Sequence, residues 1–64
     1  MMSEHELSFM RLVCSEMTYK EIAQVLNMNP RTVDALRDSL FEKLDVKSRV
    51  GLAMYSIKHG LVTI

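Results

Sequence analysis

The run Thr18-Tyr-Lys-Glu-Ile-Ala-Gln-Val-Leu-Asn-Met-Asn-Pro-Arg-Thr-Val33 spells out two helix starts with one tight turn between them, and few folds accommodate that. Thr18 suits a helix cap, accepting a hydrogen bond from a backbone N–H of the first turn, and Glu21, three residues on, can reach back to the cap's own N–H. This predicts a helix over Tyr19 to Leu26, with Ile22, Ala23, Val25 and Leu26 on its buried side. Small Ala23 permits the close approach of a crossing helix. Asn27 tolerates the left-handed conformation that ends a helix, and Met28 can plug the turn. Asn29 then caps a second helix, whose first residue, Pro30, needs no N–H donor there. Two helices joined so tightly are a standard means of placing one of them in a DNA major groove.

The rest of the chain also follows helical periodicity. Ser3 and Glu6 repeat the capping pattern and predict a helix from Glu4 to about Glu16. Its inner stripe would be Leu7, Met10, Val13, Cys14 and Met17, with Glu4, Ser8, Arg11 and Ser15 outside. The helix from Pro30 should reach about Leu44, with Val33, Leu36, Leu40, Phe41 and Leu44 facing the core. Asp45, Val46 and Lys47 interrupt the pattern. Ser48 then caps a fourth helix ending at His59, with Gly60 as its left-handed stop and Leu61 folding back. The expected fold is all-α, one four-helix domain over residues 1–64, with no internal repeat, linker or low-complexity segment, and with any sensor or receiver domain outside this chain.

A chain of 64 residues buries only about 60% of its unfolded surface, which leaves no room for an enclosed active site. Cys14, the single cysteine, cannot form an internal disulfide and is expected as a small core residue. His5 and His59 sit near opposite ends and, with one cysteine, offer no metal-ligand spacing and no catalytic triad. No catalytic residue, metal, cofactor or small-molecule ligand is therefore expected. No apolar run approaches the roughly 18 residues of a membrane span, and Met1-Met2-Ser3-Glu4 lacks the features of a signal peptide. The expected domain is soluble and intracellular.

The formal net charge is zero, which sits awkwardly with nucleic-acid binding, because phosphate neutralisation supplies most non-specific affinity. What decides is whether the basic groups share one face. The third helix should turn Arg31, Asp34, Ala35, Asp38, Ser39 and Glu42 away from the core. Arg31 could reach a phosphate or a guanine edge, and Ala35 a thymine methyl. Asp34 and Asp38 repel phosphates, yet each can accept from a cytosine amino group; the plainer reading is a solvated acidic face. Phosphate contacts are expected from Lys20, Thr32, Arg37 and Lys47, with Lys43 and Arg49 as further candidates. Lys43 or Arg49 could instead pair with Glu6.

With Lys20-Glu21-Ile22-Ala23, Thr32-Val33, Lys43-Leu44-x-Val46 and Ser48-Arg49 in this order and spacing, the chain resembles the LuxR-type helix-turn-helix domain, the output domain of NarL/FixJ-like response regulators, also called GerE-like. The resemblance extends from about Ser3 to Leu61. It implies four helices, the third in the major groove of double-stranded DNA and, in many members, the fourth pairing two copies into a homodimer; RNA polymerase is a further partner of such regulators. Two departures stand out. Glu16 replaces a common Gly, and Asp34 takes the place of a basic residue after Thr32-Val33, so the location of Asp34, Ala35 and Asp38 carries over but no base preference does.

The fourth helix carries two apolar stripes, Leu52-Ala53-Ser56 and Val50-Met54-Ile57 with Tyr55 beside the second. One stripe should pack inward. The other, Val50, Met54, Tyr55 and Ile57, is either a dimer patch or is covered by Leu61-Val62-Thr63-Ile64. The leading reading is sequence-specific DNA binding in transcription regulation. Its alternative is a helix-turn-helix shell turned protein-interaction module, using the fourth helix or the acidic face of the third, to which the Asp34/Asp38 pair lends weight. Region four of a sigma factor shares the capped turn but not the Lys43-to-Arg49 block.

Overall fold

Local capping chemistry sets where each helix of this chain begins. The computed structural model describes residues 2–63 and forms α1 (Glu4–Leu12), α2 (Tyr19–Val25), α3 (Pro30–Leu44) and α4 (Arg49–Lys58). Ser3 and Thr18 both make complete capping boxes: each hydroxyl accepts from the third helical N–H, and Glu6 and Glu21 accept the caps' own N–H at 2.8 Å. Asn29 accepts from the Arg31 N–H at 2.8 Å, and Ser48 from that of Gly51 at 3.1 Å.

The last three helices share one way of stopping. In each, a residue with positive φ, Asn27 at 55°, Asp45 at 55° or Gly60 at 71°, lets the next N–H turn back on the last turn. Met28 N–H reaches Ala23 O at 2.8 Å, Val46 N–H reaches Phe41 O at 3.0 Å, and Leu61 N–H reaches Ser56 O at 2.8 Å. The stop at Asp45 had no glycine to announce it.

Helix α1 departs from expectation by ending at Leu12 instead of near Glu16. The Ser15 hydroxyl donates to Leu12 O at 2.5 Å and accepts the Met17 N–H at 3.1 Å, so a local side-chain bond replaces the next helical turn. The early stop changes which face is buried. Phe9, Met10 and Val13 are enclosed, Leu7 is only half-buried, and Cys14 is exposed instead of lying in the core. Val25 is likewise 57% exposed, because Ile22, Ala23 and Leu26 define a face that leaves it outside.

The core joins Phe9, Met10, Val13, Ile22, Ala23, Val33, Leu40 and Leu52. Helix α2 packs on α3, and α1 packs on α4. Across the second contact the buried Ser56 hydroxyl donates to Met10 O at 3.1 Å. Among the described residues no buried side-chain polar atom is left unbonded, and no helix is long and apolar enough to cross a membrane.

The capping boxes make stability depend on acid. The Glu6 carboxylate is held below the ordinary 4.5 first by the Ser3 N–H and further by Lys43, against the opposing effect of burial; Glu21 is held below it by the Thr18 N–H and hydroxyl. A carboxylate with a depressed folded-state pKa contributes stability that is present above the unfolded value and lost as pH falls through the folded one. The thermal midpoint should therefore be flat from neutrality to about pH 5 and fall below about pH 4.5. Replacing both residues, Glu6→Gln and Glu21→Gln, should flatten that fall, as read by circular dichroism across pH.

Candidate nucleic-acid interface

The α2–turn–α3 unit holds α3 with Val33 and Leu40 inward and Arg31, Thr32, Asp34, Ala35, Asp38, Ser39 and Glu42 outward. Every residue expected on the reading face is exposed there. Lys20, in the first turn of α2, and Lys47, after the end of α3, are exposed as well. Among the described residues neither of them nor Arg31 takes part in an ion pair, so three exposed cations remain available to phosphates.

Arg37 is placed differently from its expected role as a phosphate contact. Its Nε lies 3.0 Å from Asp38 Oδ1 and its second nitrogen 3.3 Å from Asp34 Oδ1. Its guanidinium also lies 5.0 Å over the Tyr19 ring. The hydrogen bond to Asp38 raises the Arg37 pKa above its ordinary value, against the smaller effect of burial. The acidic face is thus partly neutralised from within.

Arg49 and Lys43 are structural too. Arg49 donates to Val13 O at 3.2 Å and Ser15 O at 3.0 Å, closing the carbonyl end of α1, and it too lies 5.0 Å over the Tyr19 ring. Lys43 lies 3.4 Å from the Glu6 carboxylate, so of the two possible partners Glu6 takes the lysine. Tyr19, with Phe9 stacked 6.2 Å away, is the organiser that sequence reasoning missed. Its position just after a cap gave no sign of it, since the two arginines converge on it only in the folded chain.

On α4, Val50, Met54 and Ile57 form an exposed strip at 66%, 65% and 43% exposure. Tyr55 does not belong to it. It is half-buried, stacks on His59 at 4.1 Å and lines a groove with Met2, Leu7, Leu44 and Leu61. A rotation of about 140° along the helix separates it from Val50. Leu61 packs on the core and its carbonyl accepts from Arg11 at 3.1 Å, while the strip stays open; Ile64, the last residue expected to cover it, lies outside the described residues.

The family of bacterial regulatory proteins called luxR matches residues 1–56. The chain belongs to the LuxR family. It is therefore a helix-turn-helix domain for DNA binding in transcription regulation, from a family of regulatory proteins. Among relatives, the response regulator UvrY of Escherichia coli K12 is 37% identical over 60 residues, covering 94% of this chain and 28% of UvrY. The response regulator GacA of Pseudomonas viridiflava is 32% identical over 62 residues, covering 97% of this chain and 29% of GacA. The chain thus spans less than a third of the length of these relatives. No solved structure gives a significant match.

Proposed function

We propose that this LuxR-family domain is the output domain of a two-component response regulator, entering the major groove with α3. The observation that carries the reading is the capped α2–turn–α3 unit, whose outer face is exposed, with Lys20 at the start of α2, Arg31 in the first turn of α3 and Lys47 just after it exposed as well. Lys20, Thr32 and Lys47 contact phosphates, and Arg31 meets a phosphate or a guanine edge. Asp34, Ala35 and Asp38 face the bases. Two copies pair through Val50, Met54 and Ile57, and the regulator works with RNA polymerase at the nucleoid of the cytoplasm. The sensor or receiver domain belongs to another part of the parent protein, and this domain performs no catalysis. A protein-interaction role would use the exposed carboxylates of α3, whose charge Arg37 offsets, or the apolar strip of α4, which pairing of two copies would cover.

Selection of bound sequences from random duplexes, followed by salt titration of the best site, tests this reading. A defined motif and a steep fall of affinity with salt are expected. Lys20→Ala should weaken all duplexes alike and lower the salt slope by about 0.9, whereas Asp38→Ala should relax preference at one base position. Recovery of no motif, without salt-dependent binding, would falsify the function.

A further inference from the structure

We propose that Arg37 is a positioning residue for base reading: it fixes the poses of Asp34 and Asp38 and offsets their charge, and it does not bind phosphate. The inference rests on the DNA-reading function above and assigns the determinant of its specificity. Three observations carry it. The Arg37 side chain is 24% exposed while those of Asp34 and Asp38 are 54% and 66% exposed, so an approaching duplex meets the carboxylates first. The guanidinium is engaged by both carboxylates, at 3.3 and 3.0 Å, and by the Tyr19 ring at 5.0 Å. That ring is in turn held by Arg49, whose own bonds to Val13 O and Ser15 O tie it to the scaffold.

The consequence is chemical. Both ion pairs use Oδ1, which leaves Oδ2 of each aspartate to accept from a base-edge donor. In the major groove the donor that matches a carboxylate is the exocyclic amino group of cytosine. Asp34 and Asp38 stand one turn apart on α3, about 6 Å along its axis, the rise of roughly two base-pair steps. A carboxylate facing DNA without a nearby cation is repelled by the phosphates. Arg37 removes much of that repulsion and fixes side chains that would otherwise sample several rotamers. Nε and one terminal nitrogen of the guanidinium are committed to the aspartates, so a phosphate contact that leaves both ion pairs intact has only the other terminal nitrogen to use.

Sequence selection with the 64-residue chain and two variants tests the proposal. Arg37→Met keeps an aliphatic stem over Tyr19 while removing the cation, and Arg37→Lys keeps the charge without the planar fork. The wild-type chain should prefer cytosine at two positions one or two base pairs apart. Arg37→Met should lose about tenfold of that preference at both positions together, the scale of one mismatched pair, on top of a general weakening from the two carboxylates it leaves uncompensated. Arg37→Lys should not restore the preference. Circular dichroism and the unfolding midpoint report whether the folded fraction is unchanged. A loss of affinity equal for all sequences in Arg37→Met, with the cytosine preference intact at both positions, would make Arg37 a phosphate contact and overturn the proposal while leaving the DNA reading intact. No motif from the wild-type chain would instead overturn the DNA reading, and the role of Arg37 with it.

Discussion

Phe9→Ala should remove much or all of the domain's stability at ambient temperature. Phe9 is fully enclosed between α1 and the rest of the core, with its ring stacked 6.2 Å from that of Tyr19. Truncating such a ring costs about 3–5 kcal/mol, from the transfer free energy of the lost atoms and the cavity they leave. At about 0.05–0.15 kcal/mol per residue, a domain of 64 residues has roughly 3–10 kcal/mol in total, so one substitution consumes much or all of it. The stacked Tyr19 would lose its support as well, and with it the platform under Arg37 and Arg49. Leu7→Ala, at a half-buried position on the same helix, should cost only about 1 kcal/mol and leave a clear transition in urea. The reverse ranking would show that the buried face of α1 is centred on Leu7 and not on Phe9.

Met54→Glu should leave the fold intact and lower affinity for a duplex carrying two inverted half-sites by about a hundredfold, while leaving single half-site affinity unchanged. Met54 is 65% exposed between Val50 and Ile57, so a charge there meets water in the monomer and costs little. In the proposed pair, the same charge would lie in an apolar contact with its copy and be desolvated without a partner. Coupled occupancy of two sites multiplies affinity by about 10²–10⁴, which sets the size of the loss. Tyr55→Ala should not reproduce it, since that ring faces the groove beside Leu44 and Leu61. Wild-type behaviour of Met54→Glu on both duplexes would remove α4 from consideration as the pairing surface.

The parts of the fold legible in the sequence were those decided within a few residues. The caps at Ser3, Thr18, Asn29 and Ser48 and the reversals at Asn27 and Gly60 each depend on one side chain and its neighbouring backbone, and all stand as expected. The buried face of α1 was misjudged for a related reason. Met10 and Val13 are enclosed and Met17 packs on the core as expected, but extending the helix to Glu16 put Cys14 in its apolar stripe, although Cys14 lies past the last helical residue. With the helix stopped at Leu12, the face through Phe9, Met10 and Val13 follows. At the candidate site, the exposure of the α3 face was legible from its period. The division of labour among the basic residues was not, because Lys20, Arg37, Lys43 and Arg49 differ only in what the fold brings within reach: solvent for one, two aspartates, a glutamate and the end of α1 for the others.

The corner at Asp45 joins the helix that would enter DNA to the helix that would meet a second copy. Its left-handed residue and the Val46 bond to Phe41 O close it on one side. On the other, Val46 lies so close to Gly51 that a Cβ added there would stand 3.0 Å from its own. A paired regulator built this way has no adjustable arm between grip and handshake. In the proposed pair, the spacing of the two half-sites would then follow from this corner, and lengthening it by one residue would change the spacing bound before it changed any base touched.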